Sequence, residues 1–336
     1  MDLSIIIINY KSTQLVLDCL DSVYQQTHQH SFEIIIVDND SKDDCKEKVL
    51  AKYPATRWIQ MDYNAGFARA NNAGFAIAQG DHILLLNADT IILDGAIDKS
   101  IALLQQQKDA SGCGVQLLHT DGTNQISGAH NIKGGLNALL PLPYLGRLVR
   151  YLGYRFKATV PSIHEFADKT KVDWIVGAYI LVKRSVLSKS GLFDEDFFMY
   201  MEEIEWCGRL QQQGPLYLFS EPKVIHILGG TSNDYYKTTE SGNTKQIWNK
   251  KGRQVMVSTA LRTRKQLGIG WFLVIVSAYI LEIPVFFVGL LIDTILSAGK
   301  PGYSWKNFGA YTKSIIISSR YFVRMFFGKP YFYKVS

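Results

Sequence analysis

Residues 191–209 read GLFDEDFFMYMEEIEWCGR: six carboxylates among Phe, Tyr and Trp, closed by Arg209. A carboxylate beside large aromatics is costly unless it is solvated, paired or put to use. Glu202, Glu203 and Glu205 fall on the first turns of an expected helix, where the macrodipole favours negative charge. Half sheltered by aromatics, such a group holds its proton more tightly and can serve as a general base. The run fits an acidic start to an amphipathic helix equally well, and its residues alone do not separate the two readings.

The elements that must position this run lie ahead of it. Leu3–Asn9 is a β-branched apolar stretch of buried-strand length. Residues 10–26 carry a helical pattern with Leu15, Cys19, Leu20 and Val23 on one face. A second strand, residues 32–37, stops at Asp38-Asn39-Asp40-Ser41. Residues 51–60 form a weaker unit, residues 65–79 an Ala-rich helix, and residues 82–86 a strand ending in Asn87-Ala88-Asp89. This alternation predicts an α/β fold, a Rossmann-like, mostly parallel sheet flanked by helices. In such sheets ligands bind at the carboxyl ends of the strands. Asn9-Tyr10, the 38–41 segment and the 87–89 segment stand at three such ends. Any one of them fits a turn or a cap; three in register imply a site.

No Gly-x-Gly-x-x-Gly follows the first strand and no Gly-Lys-Ser/Thr loop occurs, which argues against dinucleotide oxidoreductases and P-loop enzymes. A diphosphate would then need another partner, and a divalent metal on Asp89 would provide one.

Seven segments, in order, carry a resemblance. They are Ser4 to Tyr10, Val37 to Ser41, Asn64 to Asn71, Leu85 to Asp89, Trp174 to Ala178, the acidic run, and His226 to Ser232. Across roughly residues 3–232 the chain resembles a family 2 glycosyltransferase of the GT-A fold, in the rhamnosyltransferase-like branch. The resemblance implies that Asn9, Tyr10 and Asp38 hold the nucleotide base, with Asn39 and Asp40 shaping the same pocket. Gly66 and Asn71 would let the backbone approach the nucleotide. Asn87-Ala88-Asp89 takes the place of the Asp-x-Asp motif, with Asp89 on Mg2+ or Mn2+ and Asn87 nearer the ribose and phosphate. His226 matches a late histidine that completes the metal site in many relatives, and imidazole suits Mn2+ better than Mg2+. Trp174, Gly177, Ala178, Glu202 and Arg209 would border the sugar and acceptor. Glu203 takes the place of the general base, in a Glu-Glu pair where the family has Glu-Asp.

Composition bounds the remainder. The 336 residues suffice for one large α/β domain and an appendage. The expected division is a catalytic domain over 1–240, with a nucleotide-sugar half to about 115 and an acceptor half from 116, followed by 241–336. Cys19, Cys45, Cys113 and Cys207 lack zinc or Cys-x-x-Cys spacing and read as free thiols of a reducing cytoplasm. The opening Met-Asp leads straight into a strand, so no signal peptide is expected. Residues 241–336 hold 14 Lys and Arg against Glu282 and Asp293, a net of +12, so the first 240 residues carry −6 of the total +6. A basic tail suits nucleic acid or anionic lipid. The stretch 271–296, WFLVIVSAYILEIPVFFVGLLIDTIL, is too apolar for a nucleic-acid arm.

Glu282 and Pro284 cut that stretch into apolar pieces of 11 and 10 residues, shorter than the ~20 a spanning helix needs. A monotopic helix pair follows, with both basic flanks on the cytoplasmic side. The alternative is a hairpin packed on protein. Residues 139–156, with Arg147, Arg150 and Arg155 among Leu and Tyr, could meet the same surface or could be a helix with solvated arginines. The expected activity is inverting, metal-dependent transfer of a sugar to a lipid-linked or growing surface polysaccharide at the cytoplasmic face of the plasma membrane. The sugar would be L-rhamnose from dTDP-rhamnose, with a UDP-hexose or UDP-galactofuranose as the alternative donor. The expected partners are that donor, the lipid-linked acceptor and an anionic membrane surface, without nucleic acid; self-association fits too. A catalytically weak membrane scaffold is the reading of another class.

Overall fold

The computed structural model describes residues 1–130, 133–156, 162–163, 166, 168–227, 236, 247–297 and 302–335, with residues 133 and 134 described by backbone alone. The expected boundary at 240 and the motif positions after Ile227, including Gly229 and Gly230, lie outside the described residues. The chain forms two compact units. One comprises Met1–Asn131, Pro161–Glu195 and Glu202–Gly242; the other comprises Ile132–Val160, Asp196–Met201 and Asn243–Ser336.

The first unit opens with β1 (Leu3–Asn9), α1 (Thr13–Gln26), β2 (Phe32–Asp38), α2 (Cys45–Lys52), β3 (Arg57–Gln60), α3 (Gly66–Ile77), β4 (His82–Asn87) and β5 (Thr90–Ile92). It continues through α4 (Ala96–Gln106), β6 (Gly112–Leu118) and β7 (Gly128–Ala129). In the second unit, a 3-10 stretch over Lys133–Leu139 leads to α5 (Leu145–Arg155). The first unit resumes with β8 (Ser162–Ile163), β9 (Lys169–Val172), β10 (Trp174–Ile175), β11 (Tyr179–Lys183), α6 (Arg184–Ser190), α7 (Glu202–Leu210) and β12 (Leu216–His226). Among the described residues the main sheet runs β3-β2-β1-β4-β11-β6-β12-β5, with β9 also on β12, while β10, β7 and β8 make a small second sheet.

The first four strands of that order are parallel, and β11 enters antiparallel between β4 and β6. Leu3, Ile5, Ile6 and Ile7 of β1 are wholly buried, as a central strand covered on both faces requires. Each such side chain stabilises the fold by about 1.5–3 kcal/mol through burial. The stripe Val16, Cys19, Leu20 and Val23 of α1 packs into the same core.

The second unit adds α8 (Lys250–Arg262), a π-helical turn over Thr263–Leu267, α9 (Gly268–Leu296) and α10 (Trp305–Phe326). The expected break at Glu282 and Pro284 does not occur: α9 is one helix of 29 residues, about 43 Å at 1.5 Å per residue. Its buried residues Phe272, Ile275, Tyr279, Glu282, Phe286 and Leu290 make a single stripe. Glu282 therefore interrupts the apolar composition but not the helix, and Pro284 lies inside it without ending it. Lys250–Leu296 is the one helix among the described residues long and apolar enough to cross a membrane, with only 28% of its most apolar window buried.

The segment Asp196–Met201 is stitched into this second unit. Asp196 Oδ2 accepts from Lys265 Nζ at 2.7 Å, its Oδ1 accepts from Tyr331 N–H at 3.0 Å, and Met199 O accepts from Ser258 Oγ at 2.8 Å.

Candidate functional site

Strand register creates a row of polar ends. Asp38 lies opposite Asn9 on one side and Gln60 on the other, while Ile8 lies opposite Asn87. Asn9 Nδ2 donates to Asp38 Oδ2 at 2.6 Å and to Ser41 Oγ at 3.1 Å. Asn9 Oδ1 accepts from Ser12 N–H at 3.2 Å and from Ser12 Oγ at 3.0 Å. An amide has two donors and two acceptor positions, so Asn9, wholly buried, is fully spent and acts by holding Asp38. Asp38 Oδ1 accepts from Ser41 N–H at 2.9 Å and from Gln60 Nε2 at 2.8 Å. A carboxylate has about four lone-pair sites; three are taken here, which leaves Oδ2 one acceptor position.

An open depression of about 520 Å3 adjoins this network, lined by Tyr10, Lys11, Asp40, Ser41, Lys42 and Asp43. Lys11, Asp40 and Lys42 all have positive φ, at 53°, 65° and 58°. Asp tolerates that region, but Lys does so at a cost, and such outliers gather where a ligand loop is held in one shape. Asn39 braces the facing loop. Its Oδ1 accepts from Ala65 N–H at 2.7 Å and its Nδ2 donates to Gly66 O at 3.1 Å. Gly66, at φ 73°, starts α3 in a conformation a side chain would strain. Asn71 is buried and donates to Phe67 O at 2.9 Å within α3.

Asp89 sits in the turn between β4 and β5. Because β5 pairs with β12 in the register Thr90 opposite His226, and Ile227 N–H donates to Asp89 O at 2.8 Å, the late histidine arrives beside the early aspartate. His226 Nε2 lies 3.5 Å from Asp89 Oδ1. Its Nδ1 lies 3.2 Å from Gln125 Oε1. Gln125 Nε2 donates to His226 O at 2.6 Å and to Leu118 O at 2.9 Å, which assigns the amide so that Oε1 is the acceptor. Nδ1 thereby carries a proton, and in the neutral ring the Nε2 lone pair faces a carboxylate. Two acceptors across such a gap fit a shared divalent cation. Among the described residues no group of three or more His, Cys, Asp or Glu could hold a metal, so this pair offers at most two protein ligands. Cys19 backs the turn, 3.5 Å from Thr90 Oγ1; burial pushes its thiol up to about 12.

Glu203 is carried by the first turn of α7. The helix is fixed by aromatic packing: Trp206 against Phe193 at 4.7 Å and Phe75 at 5.6 Å, with Phe193 on Phe67 at 5.8 Å. Trp206 Nε1 donates to Gly191 O at 2.9 Å. A Cβ on Gly177 would lie 3.9 Å from Glu203 Cβ and 3.7 Å from Phe67, so the expected acceptor-side glycine and the expected base are neighbours. Ala178 O accepts from Asn87 N–H at 3.0 Å, tying this loop to the Asn87-Ala88-Asp89 turn. Trp174 lies on β10, opposite Ala129. Glu202 is buried. Arg209 is engaged locally: its Nη2 donates to Glu205 Oε2 at 2.6 Å and its Nη1 to Ser190 O at 2.5 Å.

Gln60, Ser12 and Gln125 belong to these networks and were not singled out from sequence. Gln60 ends a strand as Asp38 does, a signal that was available. Gln125 carries none, since it reaches His226 only through the pairing of β12 with its neighbours.

The family model described as glycosyl transferase family 2 matches residues 4–191. The N-acetylglucosaminyl-diphospho-decaprenol L-rhamnosyltransferase of Mycobacterium tuberculosis is 28% identical over 210 residues, covering 57% of this chain and 66% of that protein. The rhamnosyltransferase WbbL of Escherichia coli is 27% identical over 195 residues, covering 54% and 67%. Among solved structures, the mannosyltransferase PcManGT of Pyrobaculum calidifontis in complex with GDP-Man and Mn2+ superposes with a TM-score of 0.52 at 12% identity, over 96% of this chain and 85% of that one.

Proposed function

Because the chain belongs to glycosyl transferase family 2, we propose that it moves L-rhamnose from dTDP-rhamnose to a lipid-linked or growing surface polysaccharide. The two rhamnosyltransferase relatives support the sugar, and the diphospho-decaprenol in the mycobacterial relative's name supports the lipid-linked acceptor. The observation that carries the reading is Asp38, braced by three donors with one Oδ2 position left for a pyrimidine N3–H, at the strand ends within the matched stretch.

Asp38 and the 10–11 and 40–43 loops would seat the nucleotide in the adjoining depression. Asp89 and His226 would hold Mg2+ or Mn2+, which when bound supplies positive charge to the donor diphosphate. Glu203, beside Gly177, would take the proton of an acceptor hydroxyl. The hydroxyl oxygen bonds to the anomeric carbon as the bond to the diphosphate breaks, and the electron pair leaves with the nucleoside diphosphate. One displacement inverts the configuration. Phe67 and Phe193 would keep water from the base. The apolar α9 and the basic tail support association with an anionic membrane surface on its cytoplasmic side.

The test is transfer and donor hydrolysis by purified protein with Mg2+ or Mn2+, across dTDP-rhamnose, UDP-glucose and UDP-galactofuranose. Turnover of dTDP-rhamnose alone, lost in both Asp89→Ala and Glu203→Gln, is expected. Turnover of a UDP sugar instead would replace the donor. No turnover of any donor, with no nucleotide binding by calorimetry, would remove the catalytic reading.

A further inference from the structure

The only two acidic residues after position 240 are Glu282, on the packed stripe of α9, and the half-buried Asp293, and both hold α5. Glu282, wholly buried, accepts from Tyr144 N–H at 2.7 Å and from Leu145 N–H at 2.9 Å, the donors that open α5. These are among the helix-end N–H groups that need an external acceptor. Asp293 Oδ2 accepts from Tyr144 Oη at 2.8 Å and pairs with Arg147 at 3.2 Å. Between the two carboxylates the Tyr144 ring lies on Gly289, where a Cβ would come within 2.6 Å of ring carbons. Two charges that look disruptive in an apolar helix are therefore the fastening of a smaller one.

What α5 presents outward is unusual for a protein surface in water. Leu148, Tyr151 and Tyr154 are 53%, 65% and 80% exposed, and Phe156, just past its end, is 79% exposed. Arg150 and Arg155 are exposed among them, and α5 carries no acidic residue. α9 beside it exposes Ile280, Leu281, Val288, Ile292 and Ile295. Exposed apolar side chains in this number mark an interaction surface. Aromatics mixed with arginine and free of carboxylates match the headgroup region of an anionic bilayer.

We propose that α5 is a second lipid-contacting element, laid on an anionic bilayer beside α9 and fastened to it by Glu282 and Asp293. The proposal rests on the membrane association proposed above and specifies which surface makes the contact. All four native cysteines are buried, so a thiol-directed, polarity-sensitive dye on full-length Tyr154→Cys reports this helix alone. The dye's emission is read with vesicles of phosphatidylcholine, alone or mixed with phosphatidylglycerol, beside vesicle flotation of the same sample.

The expected result is flotation with the mixed vesicles and a blue shift of the dye. Adding Gly289→Leu, which drives a side chain into Tyr144, should leave flotation and remove the shift. Flotation of the Tyr154→Cys protein without a shift would overturn the role of α5 while leaving the membrane association standing. An equal shift on phosphatidylcholine alone would overturn the anionic preference. No flotation would overturn the membrane association itself. A shift that appears without vesicles and grows with protein concentration would assign the face to a second copy of the chain and overturn the proposal.

Discussion

His226 and Asp89, 137 positions apart in the sequence, face each other with Nε2 3.5 Å from Oδ1, and Gln125 fixes which nitrogen of the ring points inward. The pairing of β5 with β12 makes the meeting; the amide of Gln125 makes it chemically directed.

Gln125→Leu should weaken Mn2+ binding, measured by the electron paramagnetic resonance of free Mn2+, by about 10- to 100-fold, the usual effect of losing a group that orients a ligand. Asp89→Ala should abolish the binding. Unchanged Mn2+ affinity in both variants would remove the pair as a metal site.

Asn9→Leu removes two donors and two acceptors from a buried network and leaves Asp38 and Ser12 short of partners. Urea unfolding should show a loss of about 1–3 kcal/mol for each group so stranded. Nucleotide affinity, measured by calorimetry on the folded variant, should fall as well, because Asp38 loses its orientation. A stable variant with native affinity would contradict the bracing role.

Glu203→Gln keeps the shape of the side chain and removes its basicity. Its kcat should drop about 100- to 10,000-fold, the range for a general base, with donor affinity unchanged. Gly177→Val should raise the acceptor KM instead, since its methyl groups would press between Phe67 and Glu203. An equal loss of donor binding in both variants would point to misfolding rather than to acceptor-side chemistry.

Burial pushes the thiols of Cys19 and Cys45 up to about 12, from an ordinary value of 9.0. A raised value means that the folded state keeps the proton where the unfolded state releases it. Stability from these groups is therefore intact below about pH 9 and declines as pH rises toward 12. At pH 8 a thiol reagent should find no reactive cysteine in the native protein and four after denaturation. Rapid labelling of the native chain would refute the packing of Cys19 behind the Asp89 turn.

The strand ends were legible in the sequence because a buried parallel strand needs an apolar run and a polar stop, and Asn9, Asp38 and Asn87 are such stops. Glu203 was legible as a helix-start carboxylate. The rest of the acidic run divides differently: Asp196 belongs to the second unit, where it binds Lys265, and Glu205 binds Arg209 within its own helix. In the sequence Glu282 breaks an apolar segment, because composition does not reveal which face of a helix a charge occupies. Only packing shows that it closes the start of α5. Gln125 and Gln60 act through partners set by sheet register, which local pattern does not encode.

The place of β11 governs how the chain can be made. This strand, residues 179–183, sits between β4 and β6, so a chain growing from its N-terminus has an open edge on β4 until almost 100 further residues have been added. Leu84, Leu85 and Leu86 stand on that edge, and an unpaired apolar edge is a template for aggregation. Late, long-range closure of this kind is slow. A chain cut near residue 115, though it would hold the strand ends at Asn9, Asp38 and Asn87, should therefore emerge insoluble.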